Sequence, residues 1–244
     1  GGRVHECDPT GRRAQIVRPA LGTFAHEAVA VDRERRCLYL TEDLEDGRFY
    51  RFTPNRWTDL SGGLLEVAQM QGDGRVLWHP VPNPEPEEGA GDTPTRWQVP
   101  ESTAFDGGEG IASQAGHVFF TTKGDNRVWD YDVRDESVCV IYEADLDPGR
   151  QLTGVDNVTV SDDGDLLVAE DAGNMELVIL TPTGIAAPLL RVLDQDGSEI
   201  TGPAFDPWSR HLYFSSQRGP RPMGRRQFGL TYEVTGPFQR FAHC

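Results

Sequence analysis

Three acidic residues stand at matched places along the chain. Glu27, Glu109 and Asp156 each sit at the start of a short apolar run: Val29-Ala30-Val31, Ile111-Ala112 and Val158-Thr159-Val160. A second polar tier follows at the end of the next run, as Glu42-Asp43, Asp125-Asn126 and Glu170-Asp171. Carboxylates gathered at one place repel one another unless cations hold them. Oxygen-rich donor sets of this kind suit Ca²⁺ and other hard cations. Glu27, Glu109 and Asp156 are therefore candidate metal ligands, and Glu42 and Glu170 are candidates for a more peripheral ion. The same residue types also cap loop amides in turns, and the sequence leaves both readings open.

The elements that must position these residues repeat. His26–Asp32 runs on to Leu38–Asp43, and Gly108–Ala112 to Val118–Thr122. Val155–Val160 runs on to Leu166–Asp171, and Thr201–Asp206 to Leu212–Ser216. Each unit reads as a turn, a short alternating strand, a polar turn, and a second strand rich in β-branched and aromatic residues. Third strands follow at Phe49–Phe52, Arg127–Tyr131 and Glu176–Leu180, and fourth strands at Leu64–Ala68, Val138–Ile141 and Ala187–Val192. Glu109, Asp156 and Gly202 recur at intervals of 47 and 46 residues. Four short antiparallel strands per repeat is the blade of a β-propeller.

The expected fold is all-β: one β-propeller domain over residues 1–244, with about four and a half four-stranded blades visible. In that architecture the first strand of each blade lines the central channel, which would aim Glu27, Glu109 and Asp156 at one axis. The step from Glu27 to Glu109 is longer, 82 residues. The excess falls at about 77–101, rich in proline and acidic residues, and predicts an extended surface insertion. Residues 2–19 read as the last two strands of a blade, and Leu230–Val234 as the third strand of another. An open arc of blades exposes strand edges. The expectation is that an upstream segment or a second chain closes the propeller.

Composition sets limits. The formal net charge of −16, from 39 acidic and 23 basic residues, argues against a nucleic-acid surface, which needs a basic stripe. No apolar run reaches the length of a membrane span. Of the four cysteines, Cys7, Cys37, Cys139 and Cys244, no two make a C-x-x-C pair, so a zinc site of the usual spacing is not expected. Cys37 and Cys139 lie in strand-like runs and read as buried core residues. Nucleophile-elbow, P-loop and H-E-x-x-H motifs are missing from the sequence.

The order of the motifs resembles a known family. Phe24-Ala25-His26-Glu27-Ala28-Val29-Ala30-Val31, with Tyr39–Asp43 and Phe49–Phe52, looks like the His-Glu-Ala region of PhoX-type alkaline phosphatases. Asp156-Asn157-Val158, with Gly164-Asp165-Leu166 and Ala169-Glu170-Asp171, looks like their Asp-Asn motif. Glu199–Phe205, with Leu212–Phe214 and Gln217, looks like their last-blade motif. The resemblance implies a secreted or cell-envelope, metal-dependent phosphatase that acts on small phosphorylated substrates in a propeller channel holding Ca²⁺ and Fe³⁺. It makes Glu27, Glu109 and Asp156 metal ligands. The family's iron-binding cysteine has no counterpart here, and Gly107 stands where an arginine is common two residues before the matching glutamate. Two other readings stay open: a calcium-dependent propeller lactonase or esterase, which Asp156-Asn157 also fits, and a non-catalytic calcium-stabilised binding propeller. Lys123, Arg218 and the basic run Arg221, Arg225, Arg226 could supply positive charge or lie on solvated loops.

Overall fold

A computed structural model describes all residues except 88, 148, 150, 172–173, 221–227 and 239–244. Eighteen strands and two short 3-10 turns make up the regular structure among the described residues. In chain order they are β1 (His5–Glu6), β2 (Ile16–Val17), β3 (His26–Asp32), β4 (Cys37–Glu42), β5 (Phe49–Arg56), β6 (Asp59–Met70) and β7 (Val76–Pro80). Next come β8 (Gly108–Gln114), β9 (His117–Thr122), β10 (Arg127–Asp132) and β11 (Ser137–Glu143). The last are β12 (Val155–Val160), β13 (Leu166–Glu170), β14 (Glu176–Leu180), β15 (Ala186–Arg191), β16 (Ile200–Phe205), β17 (His211–Ser216) and β18 (Leu230–Thr235). The expected all-β, propeller-type fold is what the chain adopts, blade by blade. Two sheets, β8–β11 and β12–β15, are four-stranded with neighbouring strands consecutive in sequence, and β16–β18 is three-stranded.

The chain divides into two compact units, residues 1–108 with 131–138, and residues 109–130 with 139–244. In the first, β3–β7 form a five-stranded sheet. The fifth strand is a departure from the expected insertion. Val76–Pro80 pairs along β6, because Trp78 has an aromatic nest to enter. Its ring lies 5.4–6.0 Å from those of Phe49, Tyr131 and Tyr39, and its Nε1 donates to Tyr131 Oη at 3.0 Å. Burial pushes the Tyr131 hydroxyl up to about 12. Further along the same segment Val81 and Val99 enter the core of Leu38, Leu40, Tyr50, Phe52 and Leu65.

The second unit shows why its sheets stack. Every residue of β13 is buried. Side chains alternate across a strand, so Leu166 and Val168 enter a cluster with Val155, Val158, Val178 and Leu180. Leu167 and Ala169 point the other way, to Leu177, Ile200, Leu212 and Phe214. A sheet apolar on both faces must be covered on both. Turns are closed by aspartates. Asp32, Asp132 and Asp206 each accept two backbone amides with one side-chain oxygen, the Asx geometry that short acidic turns favour. Cys37 is buried as expected, whereas Cys139 is exposed. The correction has a simple cause, for Cys139 sits on β11, the outer strand of its sheet.

Candidate metal centre

Asp156 lies on β12 where the pairing with β13 slips between Val155 and Val158. The bulge re-aims the strand locally. Several contacts define its place. Thr121 Oγ1 donates to the Asp156 backbone carbonyl, and Asn157 Nδ2 donates to Asp156 Oδ1 at 2.5 Å. Gly110 of β8 lets the strands approach, since a Cβ there would stand 2.5 Å from Val158 N and 2.6 Å from Asn157 Cα. Gly154, at φ +64°, turns the chain into β12, and a Cβ would stand 2.6 Å from the Asp171 carbonyl. That turn is locked by Asn126 Oδ1, which accepts from Gly154 N at 2.5 Å and from Val155 N at 3.3 Å.

Asp171 follows β13. Its amide donates to Gly154 O at 2.8 Å, and it bridges to Glu199 just before β16. One carboxylate oxygen from each of Asp156, Asp171 and Glu199 lies within 4.8 Å of the others. Asp156 is buried and the other two half-buried. Burial, and then the charges of Asp156 and Asp171, push the Glu199 carboxyl above its usual range, against the pull of Arg218 and Lys123. The three acids thus meet at an electrostatic cost. Arg218 offsets part of it, with Nη1 3.8 Å from Asp171 Oδ1 and Nη2 3.4 Å from Glu199 Oε2. The donor set is all oxygen, which fits a hard cation such as Ca²⁺. Three carboxylates alone do not single out Fe³⁺.

The other expected ligands are placed as follows. Glu27 is exposed on β3 of the first unit. Glu42, also in that unit, is fully buried. Its Oε2 accepts from Tyr50 Oη at 2.8 Å and Arg48 N at 3.2 Å, and Arg96 Nη1 lies 3.7 Å from Oε1. Glu170 is fully buried too, accepting from Thr153 N at 2.8 Å and Glu176 N at 3.0 Å. Burial raises both carboxyls. Glu42 and Glu170 occupy equivalent positions, and each takes the amide six residues on. Their geometry is that of braces for the loop into the third strand. Glu109 is buried and ion-paired with Lys123. Asp125 pairs with Arg127 at 3.0 Å and accepts from Thr122 Oγ1.

Among the expected ligands, the trio contains Asp156 alone. Asp171 belongs to the second acidic tier, and Glu199 went unassigned. The sequence signal for Glu199 is faint: an acid immediately before a first strand, three residues short of the repeat position Gly202. Arg221, Arg225, Arg226 and Cys244 lie outside the described residues.

Fold and site together define an all-β protein of propeller-type blades carrying an oxygen-only cluster suited to a hard cation. The model of the alkaline phosphatase PhoX family matches residues 2–137, more than half of the 244-residue chain. The chain belongs to the PhoX alkaline phosphatase family. None of the curated proteins matches it in sequence. Among solved structures it is similar to a luciferin-regenerating enzyme, at 16% identity over 89% of this chain and 94% of that one, with a TM-score of 0.43. It is also similar to a protein from Lactobacillus plantarum, at 14% identity over 93% and 76% with a TM-score of 0.43. A calcium-binding protein, regucalcin, from Agrobacterium tumefaciens matches at 14% identity over 89% and 93%, with a TM-score of 0.37. No helix among the described residues is long and apolar enough to cross a membrane.

Proposed function

We propose that the chain is a metal-dependent phosphatase that hydrolyses small phosphate esters, acting in the cell envelope or outside the cell. The observation that carries this reading is family membership together with the trio Asp156, Asp171 and Glu199. In this reading the three carboxylates hold a hard cation, with Ca²⁺ as the first choice. When bound, such an ion polarises phosphoryl oxygens and neutralises charge that develops on them. The chain's own residues do the positioning. Asn157 holds one Asp156 oxygen through its side-chain amide. Glu170 holds Thr153, just before β12, and Glu176, the first residue of β14, by their backbone amides. Glu27, Glu42 and Glu109 remain candidate ligands for further ions. Lys123 holds the charge of the buried Glu109.

The test is turnover of p-nitrophenyl phosphate by purified protein, stripped with EDTA and then given Ca²⁺. Calcium-restored hydrolysis is the expected result. Turnover of a lactone with no phosphate-ester activity would move the protein to the lactonase reading. Calcium binding without either activity would leave a binding propeller.

A further inference from the structure

Arg218 is built into the cluster in a way that its ion pairs alone do not require. Its backbone amide donates to Ser198 Oγ at 2.9 Å, and Ser198 Oγ in turn bonds Ser216 Oγ at 2.7 Å. Both serines are buried. The preceding residue is tied as well, with Gln217 N donating to Glu199 O at 2.9 Å. The following one is Gly219, at φ +60°, where a Cβ would stand 2.1 Å from Phe228 O. The backbone on both sides of Arg218 is therefore fixed, and the side chain leaves a rigid base. Its guanidinium reaches Asp171 and Glu199 through Nη1 and Nη2, at 3.8 and 3.4 Å, and remains 40% exposed.

These ion pairs are long. Charge-assisted contacts of good geometry close to about 2.7–2.9 Å. The guanidinium therefore gives Nη2 to a long hydrogen bond with Glu199 Oε2 and reaches Asp171 by charge alone, a loose use of its five donors. A cation held by the same carboxylates would compete for their charge and loosen that hold. The planar fork would then meet an anion sitting against the cation. Lys123, the other cation acting on Glu199, already pairs with the buried Glu109.

We propose that Arg218 is a substrate-binding residue that takes two non-bridging oxygens of the phosphoryl group through its fork, and so sets the preference for phosphate esters over neutral esters. This rests on the phosphatase reading of the Asp156, Asp171 and Glu199 cluster. It assigns Arg218 a contact with substrate that the ion pairs alone do not give.

The experiment compares wild type, Arg218→Gln and Arg218→Lys with Ca²⁺ present. The loss of two charge-assisted hydrogen bonds should lower kcat/KM for p-nitrophenyl phosphate on the order of 100-fold in Arg218→Gln, chiefly through KM. Arg218→Lys keeps the charge without the fork and should fall between. The calcium midpoint for both variants should stay near the wild-type value or tighten. Equal KM in all three proteins would overturn the proposal, as would a loss of activity that tracks loss of calcium binding or of folded protein.

Inorganic phosphate binding to the calcium-loaded proteins, measured by calorimetry, separates this proposal from the phosphatase reading. If no ester is turned over but wild type binds phosphate and Arg218→Gln does not, the reading fails and the anion site stands. If wild type binds no phosphate, or the variant binds it equally well, the anion site is wrong.

Discussion

Replacing Glu170 separates a metal ligand from a structural brace. Its side chain is fully buried, and its two oxygens accept the amides of Thr153 and Glu176 at 2.8 and 3.0 Å. Glu170→Gln keeps one acceptor and turns an NH₂ toward the other amide. One buried donor is then orphaned, at about 1–3 kcal/mol. Part of this is offset, because burial disfavours the Glu170 charge and raises its carboxyl, and glutamine carries none. The net cost should be about 2 kcal/mol. Glu170→Ala orphans both amides and leaves a cavity, for about 4 kcal/mol. Urea unfolding in EDTA reads these values with no metal contribution. The expected ranking is wild type, then Glu170→Gln, then Glu170→Ala. If Glu170→Gln matched wild type in EDTA yet lost calcium affinity, Glu170 would be a ligand and the bracing argument would be refuted.

Other predictions follow from the packing and the charges. Gly110→Ala places a Cβ 2.5 Å from Val158 N, so backbone must move. It should cost about 2–3 kcal/mol and weaken calcium binding by displacing Asp156, measurable as a lower Tm and a raised calcium midpoint. Leu167→Ala, at a position buried to 1% exposure, should cost about 3 kcal/mol in a urea titration. Asp46 gives an acid-limb test. The Trp97 indole, and then Arg96, hold its carboxyl below the usual range despite burial. A folded-state value below the unfolded one means that its contribution is present above pH 3.8 and is lost as pH falls through the lowered value. Asp46→Asn should therefore show a shallower loss of stability in that acid window, with little difference between the proteins below it.

The blades were legible because the information is local. Alternation in Leu166-Leu167-Val168-Ala169, the Asp-Asp-Gly turn before it and the near-constant repeat length are all readable within a few residues. The site was only half legible because it is not local. Asp171 and Glu199 are 28 residues apart and meet through a single bridge, and nothing near either one announces the other. Glu42 and Glu170 carry a second, local reading. Their matched positions are real, but what repeats is a brace on the sixth amide ahead. A repeated acid in a repeated fold can mark a repeated structural need as well as a shared axis. Trp78 shows the same limit, since its strand is dictated by Tyr39, Phe49 and Tyr131, which the surrounding prolines conceal.

The central claim is that Asp156, Asp171 and Glu199 hold the cation on which phosphate-ester hydrolysis depends. The most direct test is calcium titration of EDTA-stripped wild type, Asp171→Asn and Glu199→Gln, followed by p-nitrophenyl phosphate turnover. The account predicts that half-restoration shifts to at least about tenfold higher calcium in each variant, the loss of one charged ligand of three. Identical titration curves for all three proteins would contradict it.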